Sequence, residues 1–379
     1  MPLEDWGYVP TAGELELLRA ALGRAPLGDA GVALLRSACE GRADPGIPRL
    51  LPLLHRNEIA GVPPDLKAHL QRSYHASAIS FMTQEREAEP IIGALASAGI
   101  PSLLFKGFAL ARTAYANPAH RPTGDLDVAV PKPQFEAAMT VLERLGFERR
   151  LERSLEPGAG MHAATFDDPK GGIGVDLHLN LLLCSRWPGA DDGFWSRAEP
   201  LTLRSATASV PSPADHLLQT CLHGYRDNLG VTPIRWMLDA VKLLDHAGAD
   251  FRWDVFLDVA KAHRCGPLLH AALGYVADNL DAAVDATAMT QLAAMPMSRT
   301  DRAYFRLEGS DEQFARSPRA RARRIWLDYR RQHMGRSLSP AHFAGWMAAR
   351  WGKRDAGTFF GEALRRVQPR QMPPRPERS

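Results

Sequence analysis

The chain has 379 residues, enough for two or three domains, and its 45% hydrophobic and 23% charged residues are proportions that support a sizeable core. A formal net charge of +3 gives no global field that would argue for nucleic acid or a membrane surface as partner. The four cysteines, Cys39, Cys184, Cys221 and Cys265, form no CxxC pair, so neither a zinc site nor a disulfide framework is expected and the thiols read as reduced.

The opening MPLEDWGYVP lacks a basic region followed by an apolar one, and no window approaches the ~18 uninterrupted apolar residues of a membrane span. A cytoplasmic protein with no membrane partner is the expectation. Residues 1–98 read as an N-terminal helical lobe: Thr11 and Glu14 have capping-box spacing ahead of LELLRAAL. Its longest element, from about Pro64 to the ALASAG stretch, carries Pro90, which is expected to kink or split it.

After Gly99 the pattern changes. IPSLLFK is short and apolar, fit for a buried strand, KGFALARTAYA returns to helical spacing, and ANPAHRPTG is a turn-rich loop. DLDVAV reads as a second strand and KPQFEAAMTVLERLGF as an amphipathic helix ending at Gly146. MHAATF and GGIGVDLHLNLLL read as third and fourth strands, the last with Asp176, His178 and Asn180 alternating against Val175, Leu177 and Leu179. An α/β unit over 99–205 is thus predicted, its compact part over about 100–183. From Ser212 onward SPADHLLQTCLHGY, PIRWMLDAVKLLDHAG and WDVFLDVAKAHRCG have three- and four-residue apolar spacing, which predicts a C-terminal helical domain over 206–365. The Arg-rich run from Arg316 to Arg331 reads as a solvated helix face, and 366–379, rich in Pro and Arg, as a disordered tail. The fold class expected is α+β, a small mixed-sheet unit flanked by N- and C-terminal helical lobes.

The chemistry concentrates at Asp125-Leu126-Asp127. Side chains alternate along an extended chain, so both carboxylates leave the same face at roughly 7 Å while Leu126 and Val128 take the other. Like charges so placed repel unless a cation lies between them, and a divalent metal is the usual one. Asp176, on an alternating strand fit to lie beside DLDVAV, is the best third carboxylate, with Asp167 and Asp168 weaker candidates. Carboxylates so arranged suit phosphoryl transfer with two metals, Asp125, Asp127 and Asp176 serving as catalytic and metal-holding groups.

Lys106-Gly107 followed by an apolar helix, Tyr115, Arg121 shortly before the acidic pair, and the later Asp176-Leu177-His178 resemble the nucleotidyltransferase-fold superfamily. The sequence resembles more closely that superfamily's uncharacterised nucleotidyltransferase family branch, polymerase-beta-like in fold, strongly over about 100–183 and more loosely around His223, Arg235, Trp236 and Asp239. The resemblance implies NTP as substrate, Mg²⁺ or Mn²⁺ as cofactor, and transfer of an NMP to an acceptor with release of pyrophosphate. The acceptor stays open among a small molecule, a peptide, a protein and an RNA end. Gly107 would let phosphate oxygens approach a helix N-terminus, with Lys106 or Arg121 supplying charge. Phe108 departs from better-characterised members, in which the residue after the glycine touches the phosphates.

Plainer readings stand beside these. Asp125 and Asp127 could be a solvated strand start, Lys106 an exposed strand-end lysine, and Arg121 a structural partner of Asp125 or Asp127. His178 reads as a hydrogen-bonded sheet residue, and His223 and Asp239 as polar core residues. At the level of function the rivals are a DxD nucleotide-sugar glycosyltransferase and a non-catalytic protein that keeps the fold as a binding or regulatory module.

Overall fold

The computed structural model describes residues 3–5, 7–55, 59–150, 163–224, 233–308, 317–334 and 339–350. The chain divides into two compact units, Met1–Arg150 with Ala163–Gln332, and Leu151–His162 with His333–Ser379. In the second, the helix Pro340–Arg350 sets Phe343 against Trp346 with ring centres 6.1 Å apart. The tail expected at 366–379, Met161 and His162 of the third expected strand, and Arg316 of the basic run lie outside the described residues.

The first unit is built on a mixed, seven-stranded sheet in the order β3-β4-β5-β2-β1-β7-β6. Its strands are β1 (Leu103–Leu104), β2 (Asp125–Ala129), β3 (Glu148–Arg149), β4 (Ala163–Asp167), β5 (Gly174–His178), β6 (Glu199–Leu203) and β7 (Ala206–Val210). β2 runs parallel to β5 and antiparallel to β1, and β4 closes antiparallel on the far side of β5. The hairpin of β6 and β7 adds an edge that sequence reasoning left unassigned; β7 pairs parallel with β1, and the tight turn puts Arg204 at φ 51, in the left-handed region. Its alternating Leu201, Leu203, Ala206, Ala208 and Val210 carry the strand signal.

Among the described residues, four α-helices precede the sheet: α1 (Ala12–Leu22), α2 (Asp29–Cys39), α3 (Leu51–Leu54) and α4 (Pro64–Ser97). The expected capping box forms, with the Glu14 N–H donating to Thr11 Oγ1 and the Thr11 N–H donating to Glu14 Oε2. α4 runs unbroken through Pro90 for 34 residues, so the expected split does not occur. A mid-helix proline costs ~3 kcal/mol, and burial of Phe81, Ala88, Ile91, Ile92 and Leu95 along the same helix offsets it.

α5 (Lys106–Thr113) and α6 (Phe135–Arg144) interleave with the strands, α7 (Asp192–Ser196) follows β5, and α8 (Pro213–Gly224), α9 (Arg235–Ala247), α10 (Trp253–Ala262), α11 (Gly266–Leu280), α12 (Ala286–Ala294) and α13 (Arg299–Glu308) follow the sheet. Leu17 and Leu54 from before the sheet, Leu103 and Ala129 from within it, and Leu218, Met237 and Leu269 from after it belong to one apolar cluster. Leu126, Val128, Val175 and Leu177 are fully buried, each burial contributing ~1.5 to 3 kcal/mol. Their alternation fixes the register and leaves the aspartates of β2 and β5 on the opposite face.

Candidate active site

In the parallel register of β2 and β5, Asp127 is the partner of Asp176, Asp125 of Gly174, and Ala129 of His178. Asp125, Asp127, Asp176 and His178 therefore share one face of the sheet. Asp127, Asp176 and His178 each offer a ligand atom, and these atoms lie within 4.8 Å of one another. Asp125, at the exposed start of β2, is not in that group. Protein packed beside it, with the negative charges of Asp127 and Asp176, pushes its pKa up to about 6 even though the residue is open to solvent on one side. Asp167 is engaged by Arg150 and Asp168 accepts from the Lys170 N–H, so both serve local structure.

β1 delivers Lys106 to the same place. Its Nζ donates to Asp127 Oδ1 at 2.8 Å and lies 3.4 Å from His178 Nε2, which is 3.1 Å from the same carboxylate oxygen. Burial alone would raise the Asp127 carboxyl, but the Lys106 ammonium and the His178 contact outweigh it and hold it well below the usual carboxylate range. Burial, and then the Lys106 charge, depress His178. The Phe105 ring meets His178 edge-on at 4.8 Å. His178 thus makes the expected hydrogen-bonding contact within the sheet, to Asp127 on β2, and it also lies among the grouped candidate ligands; the signal for the second is its place two residues after Asp176 on the same alternating strand.

Gly107 is the second residue of α5, the helix that follows β1 after the N-cap residue Phe105. A Cβ at Gly107 would stand 3.1 Å from Arg121 Nη1 and 3.5 Å from Thr123 Cγ2, so a side chain there would fit closely against both. Arg121 pairs with neither Asp125 nor Asp127. Its Nε and Nη2 donate to the two carboxylate oxygens of Asp239 at 2.8 and 2.9 Å, and its buried Nη1 has no hydrogen-bond partner among the described residues. Tyr115 donates to Asp239 Oδ1 at 2.7 Å. Arg235 Nη1 donates to the Pro122 carbonyl at 3.1 Å, and Gln84 Nε2 to the Thr123 carbonyl at 3.0 Å. The loop that leads into Asp125 is thereby pinned from α9 on one side and from α4 on the other. Phe108, by contrast, is fully buried and stacks on Phe81 at 5.2 Å, tying α5 to α4.

Over residues 47–281, more than half of the chain, the sequence matches the family described as "Uncharacterised nucleotidyltransferase". The chain belongs to this family. The nucleotidyltransferase match takes in the β2–β5 aspartates, the Lys106-Gly107 turn, and Arg235 and Asp239 of α9. Among solved structures it is similar to the crystal structure of an antigenic nucleotidyltransferase-like protein from Paracoccidioides brasiliensis, at 14% identity and a TM-score of 0.37, covering 54% of this chain and 95% of that one. No curated protein matches. No helix among the described residues of this nucleotidyltransferase-family chain is long and apolar enough to cross a membrane.

Proposed function

We propose that this protein is a metal-dependent nucleotidyltransferase that moves an NMP from an NTP to an acceptor hydroxyl or similar group. The observation that carries this reading is the register pairing of Asp127 with Asp176 on adjacent parallel strands, with His178 beside them, in a chain of this family. Two carboxylates and an imidazole are a donor set that fits a divalent cation. Asp127, Asp176 and His178 would hold one ion, Mg²⁺ or Mn²⁺, and Asp125, next along the same face, would serve a second. Bound there, the ions would neutralise phosphate charge and activate the acceptor oxygen.

In the transfer, the acceptor oxygen bonds to the α-phosphorus while the bond from that phosphorus to the bridging oxygen breaks, and pyrophosphate leaves with the electron pair. The acceptor proton goes to a site carboxylate, Asp176 in the simplest arrangement. The backbone at Gly107 would meet phosphate oxygens at the α5 N-terminus, with Lys106 and Arg121 supplying positive charge. The partnerless Arg121 Nη1 facing that turn supports this role. The rival reading, a non-catalytic protein that keeps the fold, is favoured by Phe108, whose burial against Phe81 leaves no hydroxyl for the phosphates at that position.

The test is to incubate the protein with each of four α-labelled NTPs, Mg²⁺ or Mn²⁺, and a cell extract, and to follow label transfer. Transfer by the wild type and none by Asp127→Asn is the expected result. No transfer under any condition, with NTP binding intact, would favour the rival.

A further inference from the structure

This inference rests on the metal reading above and concerns what stands in the site before a metal arrives. Two of the three groups that would hold the ion already face a cation: Lys106 Nζ lies 2.8 Å from Asp127 Oδ1 and 3.4 Å from His178 Nε2. An ammonium and a divalent ion cannot both bind one carboxylate oxygen and one imidazole nitrogen at close range, because like charges repel strongly in so buried a place. Asp127 and His178 are both about 95% enclosed, whereas the Lys106 side chain is 20% exposed and has a way out.

The backbone adds a second observation. Lys106 has φ 54, one of four non-glycine residues with positive φ among the described residues and the one at this site. A lysine in the left-handed region is a strained choice where glycine would be relaxed. It stands next to Gly107 at the N-terminus of α5, on the turn assigned above to the phosphates. The ammonium that blocks the metal position and the phosphate turn are thus parts of one structural element.

We propose that Lys106 is the resident cation of the metal-free site, and that metal entry is linked to the triphosphate because the triphosphate gives the displaced ammonium a new partner. Metal alone then binds weakly, since it must evict Lys106 without compensation. Metal and triphosphate together bind cooperatively, by the reciprocity that any such linkage obeys. The site is held shut to free divalent ions and opens to the metal-loaded nucleotide.

The experiment measures Mn²⁺ binding by electron paramagnetic resonance without nucleotide, then with inorganic tripolyphosphate, correcting for Mn²⁺ complexed in solution. Wild type, Lys106→Met, Lys106→Gln and Lys106→Arg are compared, each first shown by circular dichroism to be folded. Both neutral variants should bind Mn²⁺ alone at least tenfold more tightly than wild type, and tripolyphosphate should enhance their Mn²⁺ binding less. Lys106→Arg, which keeps the charge, should stay close to wild type. Equal or weaker Mn²⁺ binding in both neutral variants overturns the resident-cation proposal while leaving the metal site standing. Absence of Mn²⁺ binding in all four proteins overturns the metal reading itself, and the proposal with it.

Discussion

Arg121 and Asp239 form a bidentate ion pair, both groups buried, across 118 residues of sequence, and it joins the loop before β2 to α9. Burial works against both charges, yet each holds the other ionised: Asp239 stays below its usual range and Arg121 above its own. Arg235, close by, is pushed down to about 10 by burial and by Arg121. One carboxylate thus offsets two guanidinium groups, and the surplus positive charge lies behind the turn proposed to hold phosphate.

Removing the carboxylate exposes that imbalance. Asp239→Leu should destabilise the fold by ~3 to 5 kcal/mol, because it leaves buried cations uncompensated. Removing both partners, as in Arg121→Met with Asp239→Leu, should cost less than the sum of the two single changes. Urea denaturation of the four proteins of the cycle measures the coupling, and simple additivity would show that the pair is not a unit.

The second prediction is a pH dependence of stability. His216 on α8 is buried with Nε2 unpartnered among the described residues, and burial followed by the Arg121 charge pushes its pKa down from 6.5 to about 3. His263 is likewise pushed down to about 3, by burial and then Arg331. Between pH 6.5 and 3 the unfolded chain binds protons that the folded chain refuses at these two positions. Their contribution is therefore fully present above pH ~6.5 and is lost as pH falls. His216→Leu should remove about one proton from the slope, or ~1.36 kcal/mol per pH unit across that window. Parallel acid limbs for wild type and variant would mean that His216 titrates normally in the fold.

Substitutions at the carboxylates separate the metal site from the fold. Asp127→Asn should lose Mn²⁺ binding and label transfer together, and His178→Ala should weaken Mn²⁺ binding at least tenfold, in the range typical of groups that hold or orient a metal. Asp125→Asn, whose residue stands outside the close group, should lose transfer while keeping most binding of a first Mn²⁺. Binding stoichiometry and label transfer on the same preparations check all three. Unchanged Mn²⁺ binding in His178→Ala would remove the imidazole from the donor set.

The acidic face was legible in the sequence because it is a local pattern. Asp125-Leu126-Asp127 and Asp176-Leu177-His178 each alternate charged and apolar residues, and that alternation alone puts the polar groups on one face of a strand. What was not legible depends on distance in the chain. Nothing local to Arg121 points to Asp239, and nothing in β1 states that Lys106 will fold onto Asp127 and His178. Pro90 shows a related effect: local chemistry favours a kink or a split, and tertiary burial along α4 keeps the helix from splitting. The hairpin of β6 and β7 was readable in principle, but its short alternation passes for a loop until β7 is seen to complete β1.

The last prediction concerns Phe108, where the chain departs from the better-characterised superfamily pattern. Restoring a hydroxyl by Phe108→Ser would strengthen phosphate binding only if the side chain at 108 faced the site. It faces α4 instead, fully buried with its ring stacked on Phe81 at 5.2 Å. The substitution should therefore cost ~3 to 5 kcal/mol as a large-to-small core change, with no gain in triphosphate affinity. Gly107→Val should act on the other side of the same turn. Its methyl groups would crowd Arg121 Nη1 and Thr123 Cγ2, costing ~1 to 3 kcal/mol while closing the phosphate approach. Calorimetric titration with tripolyphosphate and urea denaturation, run on both variants, separate the effects: tighter tripolyphosphate binding by Phe108→Ser would place residue 108, rather than Gly107, at the phosphates.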